Sequence, residues 1–121
     1  MATSHTILVV DDDPSLLQGL GRLLSANDFE AHLFSSAESF LEAARGVKAS
    51  CLVLDIQLPG ISGIELQREL ARRGHEIPVI FMTGNGAEAT ERAARKAGCV
   101  AYLAKPFKME ALIEAIRKAL L

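Results

Sequence analysis

Along the chain, apolar runs of four or five residues alternate with stretches in which apolar positions recur every three or four residues. The runs are Thr6–Val10, Ala31–Phe34, Cys51–Leu54, Val79–Met82 and Ala101–Ala104. Such lengths suit strands and are too short for helices. The stretches between them carry helical punctuation. Asp13 before Pro14 reads as an N-cap followed by proline at the first helical position. Leu16, Leu17, Leu20, Leu23 and Leu24 then form one stripe that ends near Asn27. Ser36 and Ser39 open a short helix carrying Phe40, Leu41 and Ala44, closed by Gly46. A third helix runs from about Ser62 to Arg73 and stops at Gly74, and a fourth runs from about Ala87 to Lys96 with Gly98 beyond it. The last segment places Met109, Leu112, Ile113, Ile116 and Leu120 at helical spacing.

Five strands in strict alternation with five helices predict an α/β fold, a parallel sheet covered by helices on both faces through right-handed crossovers. The connections are too short to hide a second domain, so residues 1–121 read as one domain without repeat, linker or low-complexity tract. The fourth helix is polar and alanine-rich, which predicts looser packing than the first.

The strand ends carry the chemistry. The first run empties into Asp11, Asp12 and Asp13, the third into Asp55, the fourth into Thr83 and the fifth into Lys105. Ligands of an open parallel sheet bind outside the carboxyl ends of its strands, so these groups gather on one edge. Two carboxylates roughly 4 Å apart at an effective dielectric near 20 repel by about 4 kcal/mol. They must therefore spread apart, take up a proton or meet a cation. The set of acids, hydroxyl and ammonium suits phosphoryl transfer onto a carboxylate. Asp55 is the candidate nucleophile, and Asp11 and Asp12 would hold Mg2+, a hard cation that takes oxygen ligands. Lys105 would balance phosphoryl oxygens, Thr83 would donate a hydrogen bond to one, and Gly84 leaves room for the group to arrive. Asp13 is left to cap a helix. Taken singly each residue has a plainer reading: a turn with a cap for the aspartates, a backbone-bonded hydroxyl for Thr83, a surface charge for Lys105, core packing for Tyr102 and Phe107. The constellation carries the functional one.

Composition narrows the class further. Half of the 121 residues are apolar and 23% are charged, which describes a globular domain able to bury a core without disulfides or metal staples. A net charge of −2 argues against direct nucleic-acid binding or an anionic membrane surface. No segment is long and apolar enough to span a bilayer, and MATSHT carries no export signal. Cys51 and Cys99 lie among apolar neighbours and read as reduced core thiols of a cytoplasmic protein. His5, His32 and His75 share no ligand spacing with one another or with the cysteines.

With VVDDD, LDIQLPGISG, MTG and AYLAKPF in order across essentially the whole chain, the sequence resembles a response-regulator receiver domain of two-component signalling. The resemblance implies a flavodoxin-like, doubly wound sheet in the order 2-1-3-4-5. It implies that Asp55 accepts a phosphoryl group from a sensor histidine kinase. It makes Asp12 a direct Mg2+ ligand, has Asp11 act through water, and adds the backbone carbonyl of Gln57 as a third protein ligand. Thr83 and Lys105 match the family's phosphate contacts, and Tyr102 its switch aromatic. The Lys105–Pro106 bond matches a peptide that is usually cis there. Gln57 and Asn85 occupy variable positions that tune phosphate lifetime. SAESFLEAA and MTGNG look most like the FixJ type, whose members often carry a DNA-binding output domain. The face formed by the fourth helix, fifth strand and fifth helix is then expected to dimerise on phosphorylation or dock an output module.

Two rival readings fit the residues less well. An aspartate-based phosphatase of the haloacid-dehalogenase kind needs a second aspartate two residues after the nucleophile as general acid, and Gln57 stands there. The expected chemistry is therefore self-phosphorylation and self-dephosphorylation, not that of an enzyme acting on a separate substrate. A receiver-like interaction module that no longer phosphorylates would not need Asp12, Asp55, Thr83 and Lys105 together.

Overall fold

The structure, a computed structural model, describes residues 5–43, 48–84 and 87–121. The elements run β1 (Thr6–Val10), α1 (Pro14–Ala26), β2 (Glu30–Phe34), α2 (Ala37–Ala43), β3 (Cys51–Asp55), α3 (Gly63–Arg72), β4 (Val79–Thr83), α4 (Glu88–Lys96), β5 (Ala101–Ala104) and α5 (Met109–Ala119). All strand pairings are parallel and the order is β2-β1-β3-β4-β5. The α/β fold and strand order expected above are both present.

Period-two alternation divides each central strand between two cores. Leu8, Val10, Leu52, Leu54, Val79 and Phe81 face one side, where Phe40, Ile64, Leu66, Leu70 and Ala94 of α2, α3 and α4 cover them. Ile7, Val9, Cys51, Val53, Ile80 and Met82 face the other, under Leu17, Leu20, Leu24, Leu112 and Ile116 of α1 and α5. A central strand covered on both faces is apolar at every position, which is why β1, β3 and β4 read as unbroken runs. Cys51 is buried in one core and Cys99 packs against the opposite one, so the sheet separates the thiols, and both are free. Burial pushes the Cys51 thiol up to about 12.

Local chemistry accounts for the helix ends. The Asp13 carboxylate accepts from the amides of Ser15 at 3.0 Å and Leu16 at 3.4 Å, capping α1 with Pro14 in its first turn. Ser36 Oγ accepts from the Ser39 amide at 3.1 Å, and Ser62 Oγ from the Glu65 amide at 3.1 Å. Gly74 and Gly98, with φ of +84° and +87°, directly follow the C-caps of α3 and α4 in a conformation that side chains resist. Ala44 and Gly46, expected to close the second helix, lie outside the described residues.

The boundaries differ from expectation at informative places. β3 and β4 each include their terminal polar residue, because Asp55 pairs with Met82 and Thr83 with Ala104 in the ladder. Backbone pairing, not side-chain polarity, ends these strands. On α5 the buried stripe is Leu112, Ile113, Ala115 and Ile116, whereas Met109 in the first turn is exposed. On α4 only Ala94 is buried, and Ala87 caps the helix without a side-chain hydrogen bond.

Amide exchange in α4 should accordingly be faster than in α1, whose Leu17, Leu20 and Leu24 are all buried. Hydrogen exchange resolved by residue tests this, and equal protection of the two helices would contradict it. Leu20→Ala should lower stability by about 2–5 kcal/mol in urea unfolding. Gly19→Ala, on the same helix with no atom within 4 Å of an added Cβ, should raise it by about 1 kcal/mol.

Candidate functional site

Four strands deliver the site to the carboxyl edge of the sheet. Asp11 follows β1, its amide donating to the Phe34 carbonyl at 3.1 Å, so the end of β2 holds the residue in place. The Asp13 amide donates to Asp11 Oδ1 at 2.8 Å. Asp55 closes β3, and the Gln57 amide turns back to donate to its Oδ1 at 3.0 Å. Thr83 closes β4, and its carbonyl accepts from the Lys105 amide at 2.7 Å, fixing the segment after β5. The Lys105–Pro106 peptide is cis, as expected.

From there the Lys105 ammonium reaches across the edge. Nζ lies 2.7 Å from Asp11 Oδ2 and 3.2 Å from Asp55 Oδ2. Asp11 and Asp55 are buried, Asp12 is exposed, and one oxygen from each of the three lies within 4.8 Å of the others. This is the only group of three or more such side chains with metal-ligand spacing among the described residues. Three carboxylates against one ammonium leave an excess of negative charge on a donor set made entirely of oxygens. That combination fits a hard divalent cation.

The electrostatics follow from burial. Desolvation raises the Asp55 carboxyl above its ordinary 3.8; the Gln57 N–H lowers it, the Asp11 charge raises it, and the charge and hydrogen bond of Lys105 lower it. For Lys105, burial disfavours the ammonium. The hydrogen bond to Asp11 and the charges of Asp11 and Asp55 outweigh that and hold it above 10.5. Its ion pairs therefore stabilise the fold fully below pH 10.5 and are lost as pH rises through the raised value.

The structure thus brings Asp11, Asp12, Asp55 and Lys105 together, with the Gln57 backbone on Asp55 and the fully buried Thr83 one strand away. Asp13 is the helix cap assigned to it. Asn85 lies outside the described residues. A Cβ at Gly84 would sit 3.7 Å from Gln57 Oε1, ordinary contact, so protein packing alone does not demand that glycine. Tyr102 is not in the cluster. It pairs with Phe81 across the ladder, half-buried against the α2–α3–α4 core. Its phenol is held above its ordinary value by burial and by Glu91, against the opposing pull of Arg95. Phe107 packs against the other core, beside the Lys105 segment. None of His5, His32 and His75 belongs to the acidic cluster.

Two contacts escape a reading of the sequence. Lys105 is engaged by Asp11 more closely than by Asp55. The start of α3 also presses on the Asp55 backbone at Gly63, for which the one available sign is a glycine directly after the helix cap Ser62.

Comparison with known proteins agrees with this geometry. A family model for the response regulator receiver domain matches residues 7–117. Response regulator protein TmoT of Ectopseudomonas mendocina is 40% identical over 114 residues, covering 94% of this chain and 52% of that protein. Among solved structures, response regulator StyR is 44% identical with a TM-score of 0.88, over 98% of this chain and 60% of that one. The crystal structure of FixJ-N is 37% identical with a TM-score of 0.89, over 98% and 95%. The chain spans about half the length of the curated relatives it matches.

Replacing Asp55 by asparagine removes a charge that burial opposes. In metal-free protein at pH 7 Asp55→Asn should therefore be the more stable form. As pH falls through the raised pKa of Asp55 toward 3.8, the wild-type carboxyl takes up a proton and the gap should close. Thermal unfolding in chelator at several pH values measures it.

Proposed function

The chain belongs to the response regulator receiver domain family, the phosphoacceptor modules of two-component signalling, and from that premise we propose that Asp55 is the acceptor, in a Mg2+-dependent reaction. The observation that carries the reading is a buried Asp55 carboxylate held between Asp11, Asp12 and the Lys105 ammonium at the carboxyl edge of the sheet. A carboxylate oxygen of Asp55 attacks phosphorus of a phosphohistidine; the new P–O bond replaces the P–N bond, and the imidazole leaves with its electron pair. Mg2+, when bound, supplies the charge that lets two anions approach. Asp11, Asp12, Asp55 and the Gln57 carbonyl would hold it. Lys105 moves its partnership from the carboxylates toward phosphoryl oxygens, and the Gln57 amide keeps the other Asp55 oxygen oriented. The chemistry is that of a substrate of its own modification, with no separate turnover.

The switch follows from the same edge. An acyl phosphate adds charge and acceptor oxygens beside Thr83. Thr83 turns its hydroxyl toward them and Tyr102 moves into the space vacated, changing the face of α4, β5 and α5. The β4–β5 ladder supports this route, since it places Thr83 beside Ala104 and Phe81 beside Tyr102. A coupling of about 1–3 kcal/mol alters a partner's affinity about 5- to 150-fold. The partners are a sensor histidine kinase and an output module or second copy docking on that face. The relatives' names, response regulator and transcriptional regulatory protein, support an output in transcription, acting through a segment other than this one. Among the described residues no helix is long and apolar enough to cross a membrane.

Incubation with acetyl phosphate and Mg2+ should add one phosphoryl mass to the intact chain. Chelator or Asp55→Asn should abolish the addition. Thr83→Ala should label yet fail to change the α4–β5–α5 resonances in NMR spectra. Labelling that survives Asp55→Asn would refute the assignment.

A further inference from the structure

Gly63 is the first residue of α3, where glycine stabilises a helix less than alanine does. Its own conformation does not require glycine: Gly60, Gly74 and Gly98 have positive φ and Gly63 does not. Crowding requires it. A Cβ there would lie 2.2 Å from the Asp55 carbonyl oxygen, 2.9 Å from the Asp55 carbonyl carbon and 3.1 Å from Ile56 Cα. These are backbone atoms and cannot rotate aside. The Gly63 amide also donates to the Ile56 carbonyl at 2.9 Å. The start of helix α3 cannot retreat, because Ile64 and Leu66 of its first turn are buried in the core and Ser62 caps it.

We propose that Gly63 is a positioning residue for the acidic cluster. By admitting the 55–57 backbone into direct contact with the start of α3, it fixes where the Asp55 carboxylate and the Gln57 carbonyl meet the cation and the phosphoryl group. The inference rests on the phosphoacceptor reading and extends it to a residue outside the charged set. Restoring ordinary contact around an added methyl needs a shift of about 1 Å, and a misplacement of that size at a reacting group costs about a hundred-fold in rate.

The test compares Gly63→Ala with Leu70→Ala, a core truncation in the same helix. Each is read by the Gln57 amide resonance in metal-free protein, by Mg2+ titration and by acetyl phosphate labelling. Folded Gly63→Ala should move the Gln57 resonance, raise the Mg2+ Kd by about ten-fold or more and slow labelling further. Leu70→Ala should lose thermal stability and leave the resonance and the Kd unchanged. A Gly63→Ala protein with wild-type resonance and Kd overturns the proposal, as does a Leu70→Ala protein with an equal rise in Kd. If Gly63→Ala does not fold, Ser62→Ala, which slackens the same helix start without adding atoms, takes its place: a raised Kd supports the proposal and an unchanged one overturns it. Wild-type protein that never labels would sink the phosphoacceptor reading alone, while the resonance and the Kd ratio still judge Gly63.

Discussion

Acidic groups gathered at the end of a sheet repel one another, and one ammonium holds this arrangement together. Lys105 lies 2.7 Å from Asp11 Oδ2 and 3.2 Å from Asp55 Oδ2, so the residue after β5 reaches the end of β3 and, with β3 and β4 lying between, the residue after β1. The interaction is long-range in sequence and short-range in space, so it depends on the whole sheet being in register. Its backbone is anchored as well, through the amide on Thr83. A lysine on a free loop would lose backbone entropy as well as side-chain entropy in spanning two buried carboxylates, whereas the backbone of Lys105 is already fixed by the strand beside it.

The sheet also sorts the functional groups by face. Asp55 continues the parity of Cys51 and Val53, on the side of α1 and α5, and Lys105 follows Ala101 and Leu103 there. Thr83 continues Val79 and Phe81, and Tyr102 packs with them, on the side of α2, α3 and α4. Charge chemistry and the proposed response thus occupy opposite layers and meet where β4 ends beside β3. Such an arrangement lets a change in bonding at one layer alter packing in the other without dismantling either core.

Much of this was legible in the residues. The five runs became strands because a doubly covered strand is apolar at every position, and the caps at Asp13, Ser36 and Ser62 gave the helix starts. The gathering of Asp11, Asp12, Asp55 and Lys105 followed from strand direction alone. Three things did not follow. The strands reach one residue further, to Asp55 and Thr83, because ladder hydrogen bonds are blind to side-chain polarity. Met109 fits the helical period yet is exposed, because periodicity does not say how far a neighbouring layer extends. The contact between Gly63 and the Asp55 carbonyl is a matter of backbone-to-backbone distance, which no side-chain pattern encodes.

Tyr102 is the single tyrosine of a chain without tryptophan, and it lies half-buried at the β4–β5 ladder beside Phe81. Near-ultraviolet emission from this protein therefore originates almost wholly from one phenol. The domain carries its own optical probe at the position assigned to the switch, and every intensity change can be ascribed to one ring without labelling the protein.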